Sequence, residues 1–135
     1  MHILSEIRLP ASLENLPKFL ESVSKCIAQQ DFESQKTTEI EIALEEALVN
    51  VIKHAYKTKP GNVSISCLQD EKDRFVIEIE DNGPPFDVRA QDRPDLGDKL
   101  ADRKIGGLGI HFIKSLMSEV HYRRVGNRNV LRLIP

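Results

Sequence analysis

Three short stretches of this chain combine residue types and spacings that could do chemistry. The first holds Glu46 and Asn50, four residues apart. On a helix that interval puts two side chains one turn apart on the same face. An amide oxygen there can enter the inner shell of a hard cation such as magnesium. A carboxylate one turn away can order water or accept a proton. A bare ExxxN pair is far more often two unrelated polar residues on a helix flank. His54 extends the row by another turn, where a histidine packed at the core edge is the ordinary outcome. Glu45 points further round, towards solvent.

The second stretch ends at Asp81. Alternation along residues 75–81 sets Phe75, Ile77, Ile79 and Asp81 on one side and Val76, Glu78 and Glu80 on the other. Asp81 therefore closes an apolar row that should face helices, and a carboxylate there is costly unless it meets donors. Asp81-Asn82-Gly83 can equally be a turn in which the aspartate bonds local backbone amides. The residues alone leave the two about even. The third stretch is Gly106-Gly107-Leu108-Gly109, just before a helical pattern. Small residues leave backbone amides open, and a helix start favours anions, so the run can cradle a phosphate or serve as a hinge.

The elements that must carry these residues follow from periodicity. A first strand over residues 2–9 interleaves Ile3, Ile7 and Leu9 with polar residues and stops at Pro10. Leu13, Leu16, Leu20, Val23 and Ile27 predict a helix running to about Gln30, with Pro17 in its first turns, where a missing donor costs least. Ile40, Ala43, Leu44, Ala47, Leu48, Val51 and Ala55 form a single stripe on a long second helix, with Thr37 or Thr38 as its cap. Glu46 and Asn50 lie on one flank of that stripe. Strands are expected at 62–68 and 74–81, a proline-rich charged segment at 82–104, a helix after Gly109, and strands at 119–125 and 129–134. This order predicts an α/β two-layer sandwich, with a mixed, mainly antiparallel sheet covered by helices on one face.

Bulk properties narrow the function. The 135 residues suit a single domain, 1–135, and 40% hydrophobic with 30% charged residues is ordinary for a soluble globular chain. A net charge of -2 with no long basic block points to neither nucleic acid nor an anionic membrane as partner. Cys26 and Cys67 form no metal-binding pattern, so buried thiols in a reducing compartment are expected. With no membrane-length apolar run and no signal-like start, the expected location is cytoplasmic.

Together, in this order and spacing, the three motifs resemble those of the GHKL superfamily of ATPases, which have the histidine kinase-like (Bergerat) fold. Glu46–Asn50 looks like its N box, Asp81-Asn82-Gly83 its first glycine box and Gly106–Gly109 its second. The resemblance is strongest to the bacterial anti-sigma-factor serine/threonine protein kinases, through the run from Asp81 to Asp87, Gly106 to Ile110, and a last strand reached through Gly126-Asn127-Arg128-Asn129. It implies ATP and Mg2+ as cofactors, with Asn50 coordinating magnesium and Glu46 acting as base. It further implies that Asp81 accepts from the adenine amino group, and that Gly83 lets the chain pass close to the base. Gly106, Gly107, Leu108 and Gly109 would hold phosphates, beside a lid at 88–105 in which Arg93, Arg103 or Lys104 could approach the nucleotide. Two departures stand out. The first glycine box reads Asp-Asn-Gly-Pro-Pro and lacks a second glycine, and Asn129 stands where many relatives have a threonine.

The function implied is an anti-sigma factor in a partner-switching system, with a sigma factor and an antagonist that it phosphorylates as partners. A homodimer is compatible, since Ile42 and Val49 lie opposite the main stripe of the long helix. A non-catalytic, ATP-dependent binding module is the alternative. The catalytic half of a sensor histidine kinase would need a phosphoacceptor helical hairpin, and a strand-passing ATPase a transducer domain; neither is expected from this sequence.

Overall fold

The computed structural model describes residues 1–56, 59–86, 111 and 113–135. The expected lid at 88–105 and the run Gly106–Gly109 lie outside them. Five strands, β1 (His2–Pro10), β2 (Asn62–Gln69), β3 (Phe75–Asp81), β4 (Glu119–Val125) and β5 (Arg128–Ile134), form one sheet in the order β1-β2-β3-β5-β4. Each pairing is antiparallel. Two helices, α1 (Leu16–Ala28) and α2 (Ser34–Ala55), pack with the sheet's apolar face around the main core. A further helical stretch covers His111 and residues 113–116, and its Ile113 joins that core. The α/β two-layer sandwich expected from the sequence is thus present.

The predicted stripe of α2 is buried along its whole length, from Ile40 through Ala55. Its start differs from expectation. The helix begins three to four residues before Thr37 and Thr38, and Thr37 donates its backbone N–H to Glu33 O instead of capping. Thr38 Oγ1 donates back to Ser34 O, the intrahelical bond that hydroxyls make once a helix is under way. On α1 the buried residues are Phe19, Val23, Cys26 and Ile27, and the helix ends at Ala28 rather than Gln30. Leu13 sits instead in a short 3-10 turn before the helix and is 52% exposed. That turn breaks the phase counted from Leu13. Pro17 occupies the first turn, as expected.

On β3 the expected row is buried, with Phe75, Ile77, Ile79 and Asp81 facing the helices. Val76 is buried on the opposite face, beside Leu68 and Ile134. There Glu78 pairs with Arg132 and Arg123, and Glu80 with Arg128, an ion-pair lattice across the outer face. The β4–β5 hairpin turns on Gly126 at φ +61°, a first central position that asks for glycine in two-residue hairpins. This turn fixes the β4–β5 register, which sets Asn129 opposite Arg124, while the β3–β5 pairing sets Asn129 directly opposite Asp81. Cys26 and Cys67 are both buried and free. Burial pushes the Cys67 thiol well up, and the neighbouring Cys26 adds to the rise.

Candidate functional site

Asp81 ends the middle strand of the sheet, with 6% of its surface exposed. Its Oδ1 accepts from the Gly83 backbone N–H at 2.8 Å and from Asn129 Nδ2 at 3.0 Å. Asp81 therefore closes the buried row and also ties its own turn. Its Oδ2 meets no donor among the described residues. Burial pushes the carboxyl above the usual carboxylate range. The bonds from Asn129 and Gly83 and the charge of Arg124 oppose that rise, and neighbouring Glu80 adds to it.

Asn129 is the centre of the network. Besides holding Asp81, its Nδ2 donates to Pro84 O at 2.9 Å. Its Oδ1 accepts from the Tyr122 hydroxyl, from Arg124 Nη1 at 3.1 Å and from the Phe86 N–H at 3.4 Å. Arg124 Nη1 also donates to Gly83 O at 2.7 Å. Tyr122 and Arg124 were not legible as site residues. Both lie on the edge strand β4, and the β4–β5 and β3–β5 registers together bring them to the loop after Asp81. On the other side of that loop, Tyr56 accepts from Asn82 N at 2.8 Å and donates to Asn62 O at 2.7 Å.

Gly83 makes its own close approach to the end of α2. A Cβ built there would lie 2.3 Å from Ala55 O and 2.8 Å from Ala55 Cα, both backbone atoms. Gly83 is therefore needed by the fold whatever it does towards a ligand. Gly83→Ala is expected to cost about 1–3 kcal/mol through overpacking, read as a lower denaturant midpoint at unchanged slope.

On α2, Asn50 is 3% exposed, deeper than the flank position expected from the sequence. Its Nδ2 donates to Glu46 O at 2.8 Å, which leaves Oδ1 with no donor among the described residues. Glu46 is half-buried one turn earlier, its carboxylate without a described partner, and Glu45 is exposed. His54 is half-buried and stacks on Phe86, with ring centroids 4.5 Å apart and planes 15° apart. Among the described residues no cluster of three or more His, Cys, Asp or Glu side chains could hold a metal. The magnesium expectation therefore rests on Asn50 Oδ1, an oxygen donor of the kind magnesium takes.

Two cavities meet at Phe86. A cleft of about 10 Å³ lies beside Asp81 and Asn129, walled by Val51 and Ala55 of α2 and by Phe86. A cavity of about 670 Å³ lies across the loop, lined by His54, Tyr56, Gly83 and, again, Ala55 and Phe86. Its size is that of a small-molecule site. The structure thus brings Asp81, Gly83 and the end of α2 together. No described contact joins Glu46 to Asp81; the link runs through Val51, next to Asn50.

The family model of the histidine kinase-like ATPase domain matches residues 9–134. The chain belongs to the histidine kinase-like ATPase family. Relatives within it carry the name serine-protein kinase RsbW. The protein of that name from Bacillus pumilus is 33% identical over 128 residues, covering 87% of this chain and 76% of the relative. The one from Listeria monocytogenes is 30% identical over 125 residues, covering 89% and 79%. Among solved structures, the SiaB-SiaC complex from Pseudomonas aeruginosa contains a chain that this one matches with a TM-score of 0.71 at 16% identity, over 99% of this chain and 90% of that one. The RsbU and RsbW domains of Rv1364c from Mycobacterium tuberculosis match with a TM-score of 0.60 at 12% identity, over 96% of this chain and about a third, 32%, of that one. The resemblance to the serine-kinase branch of this ATPase family is therefore borne out, and the two structures share its fold. In the described part of this family member, no helix is long and apolar enough to cross a membrane.

Proposed function

We propose that this histidine kinase-like ATPase is a serine/threonine protein kinase that binds ATP with Mg2+ and acts as an anti-sigma factor. It would phosphorylate an antagonist protein in a cytoplasmic partner-switching system, with the sigma factor as its other partner. One observation supports the reading above all. Two buried oxygens, Asn50 Oδ1 and Asp81 Oδ2, are each fixed by bonds to the rest of their side chain and left without a described donor. Buried polar atoms are rarely left unsatisfied, and where the protein supplies no donor a ligand, an ion or ordered water meets them.

In this reading Asp81 Oδ2 accepts from the exocyclic amino group of adenine, and Asn50 Oδ1 is a magnesium ligand. Gly106, Gly107, Leu108 and Gly109 hold phosphate oxygens through backbone amides. Magnesium, when bound, neutralises charge on the phosphates. Glu46 receives the proton of the attacking hydroxyl. The partner's serine oxygen forms a bond to the γ-phosphorus, the bond to the β,γ-bridging oxygen breaks, and ADP leaves. Gly83 contributes by keeping the loop against Ala55. The relatives' name, serine-protein kinase, agrees with a hydroxyl acceptor.

The test is incubation with γ-labelled ATP, magnesium and candidate antagonist proteins. Label on a partner serine or threonine is expected, abolished by chelating the metal. Tight ATP binding with no transfer to any cognate partner would instead favour a nucleotide-dependent binding module.

A further inference from the structure

Arg124 lies on an edge strand, and no sequence motif marks it. Its guanidinium nonetheless joins two parts of the site. Nε donates to Gly126 O at 3.1 Å in the β4–β5 turn, while Nη1 donates to Gly83 O at 2.7 Å and to Asn129 Oδ1 at 3.1 Å. Arginine suits this place because its planar fork can hold several acceptors at once and stays charged.

The consequence runs through the amide of Asn129. An asparagine amide has a donor end and an acceptor end, and a flip exchanges them. Arg124 and the Phe86 N–H, which can only donate, converge on one end with the Tyr122 hydroxyl, so that end must be the oxygen. The nitrogen is thereby committed to Asp81 Oδ1 and Pro84 O. A flipped amide would set its oxygen against the Asp81 carboxylate and its NH₂ against the guanidinium. With the amide locked, Oδ1 of Asp81 is consumed and Oδ2 is left as the acceptor without a described donor, on a residue that lines the cleft. We infer that Arg124 is a positioning residue for base recognition, acting through Asn129 to present Asp81 Oδ2 as a fixed acceptor for an amino group. This rests on the nucleotide reading proposed above.

Other charged or titratable groups also face this corner. Glu80, on the same strand, is paired with Arg128 at 2.7 Å. Tyr122 is joined to Asp81 through Asn129, and from the end of α2 comes His54, stacked on Phe86, with Tyr56 just after the helix bonded to Asn82. All of these remain in an Arg124 variant, so a change in pH profile on substitution reports the guanidinium. The sign is fixed by charge. Removing a cation near Asp81 favours its protonated form, so ATP binding should fail at a higher pH on acidification. The titration of ATP itself is common to parent and variant and cancels in the comparison.

The experiment measures ATP and GTP affinity of the parent, Arg124→Met and Arg124→Lys by calorimetry and competition between pH 5 and 8, with thermal unfolding alongside. For Arg124→Met, ATP affinity should fall about tenfold, the weight of roughly one hydrogen bond to a charged group. GTP affinity should stay unchanged, and the acid midpoint of ATP binding should rise. Arg124→Lys keeps the charge and should hold the parent's midpoint while losing part of the affinity. Tyr122→Phe, which removes one bond to the same oxygen, should narrow the ATP-to-GTP ratio less than Arg124→Met does. Equal losses for both nucleotides at an unmoved midpoint would reduce Arg124 to a structural clamp, and parent-like values would overturn the inference. If the parent itself binds no ATP, the nucleotide reading fails first and takes this inference with it.

Discussion

Glu46→Gln should bind ATP nearly as well as the parent while losing nearly all transfer to a partner's serine or threonine. Phosphoryl transfer asks a protein mainly for positioning, charge neutralisation and a group that orients or deprotonates the nucleophile. The carboxylate of Glu46 is half-buried with no described partner, so no ion pair or hydrogen bond among the described residues depends on it. Asn50 is anchored to this turn through the backbone carbonyl of Glu46, not through its side chain. A glutamine therefore leaves the Asn50 amide where it was and removes only the proton acceptor. General-base contributions of about 10²–10⁴-fold correspond to roughly 3–5 kcal/mol of barrier. The check is a single-turnover transfer assay at saturating ATP, paired with an affinity measurement. Transfer at the parent rate would remove Glu46 from the chemistry, and a large loss of ATP affinity would make it a binding residue.

Asp81→Asn should do the opposite, abolishing recognition of the base and sparing the fold. Two donors, Gly83 N–H and Asn129 Nδ2, converge on Oδ1, so an asparagine must turn its oxygen to them. Its NH₂ then occupies the place of Oδ2 and meets the adenine amino group donor to donor. Sites built around a buried polar contact reject ligands that cannot make it by roughly 10⁴-fold, which sets the scale of the loss. Stability should not fall with it. Burial raises the Asp81 carboxyl above its unfolded value, so between the two values the folded chain binds more protons than the unfolded one. Stability then falls as pH rises through that window, and above it the full cost of the buried charge is present. Asparagine removes it. Thermal unfolding at neutral pH should thus show Asp81→Asn no less stable than the parent, with a flatter dependence on pH above the usual carboxylate range. A variant that unfolds well below the parent would assign Asp81 a structural role.

What could be read from the sequence, and what could not, divides by the range of the interaction. The α2 stripe and the β3 row are local periodicities, and both are buried as their spacing requires. Asp81 was visible as an anomaly at the end of an apolar row. The 3-10 turn at Leu13–Asn15 was not visible, because one irregular turn shifts the phase of every residue counted across it. The start of α2 was missed because Glu33, at its N-cap, makes no side-chain capping bond that would mark the boundary. The greatest loss was the network around Asn129. Its members lie on β3, the loop after it, β4 and β5, and a single residue of register shift would separate them. Gly83 shows the same limit. Its motif marked it for a ligand, while its contact with Ala55, 28 positions earlier in the chain, appears only once α2 and β3 are packed together.

The most direct test of the nucleotide site is calorimetric titration of the parent protein with ATP and, separately, GTP, both with magnesium. The site described predicts one ATP per chain and GTP binding weaker by up to roughly 10⁴-fold, since guanine would set a carbonyl oxygen against Asp81 Oδ2. Comparable affinity for the two nucleotides, or no heat of binding with either, would contradict it.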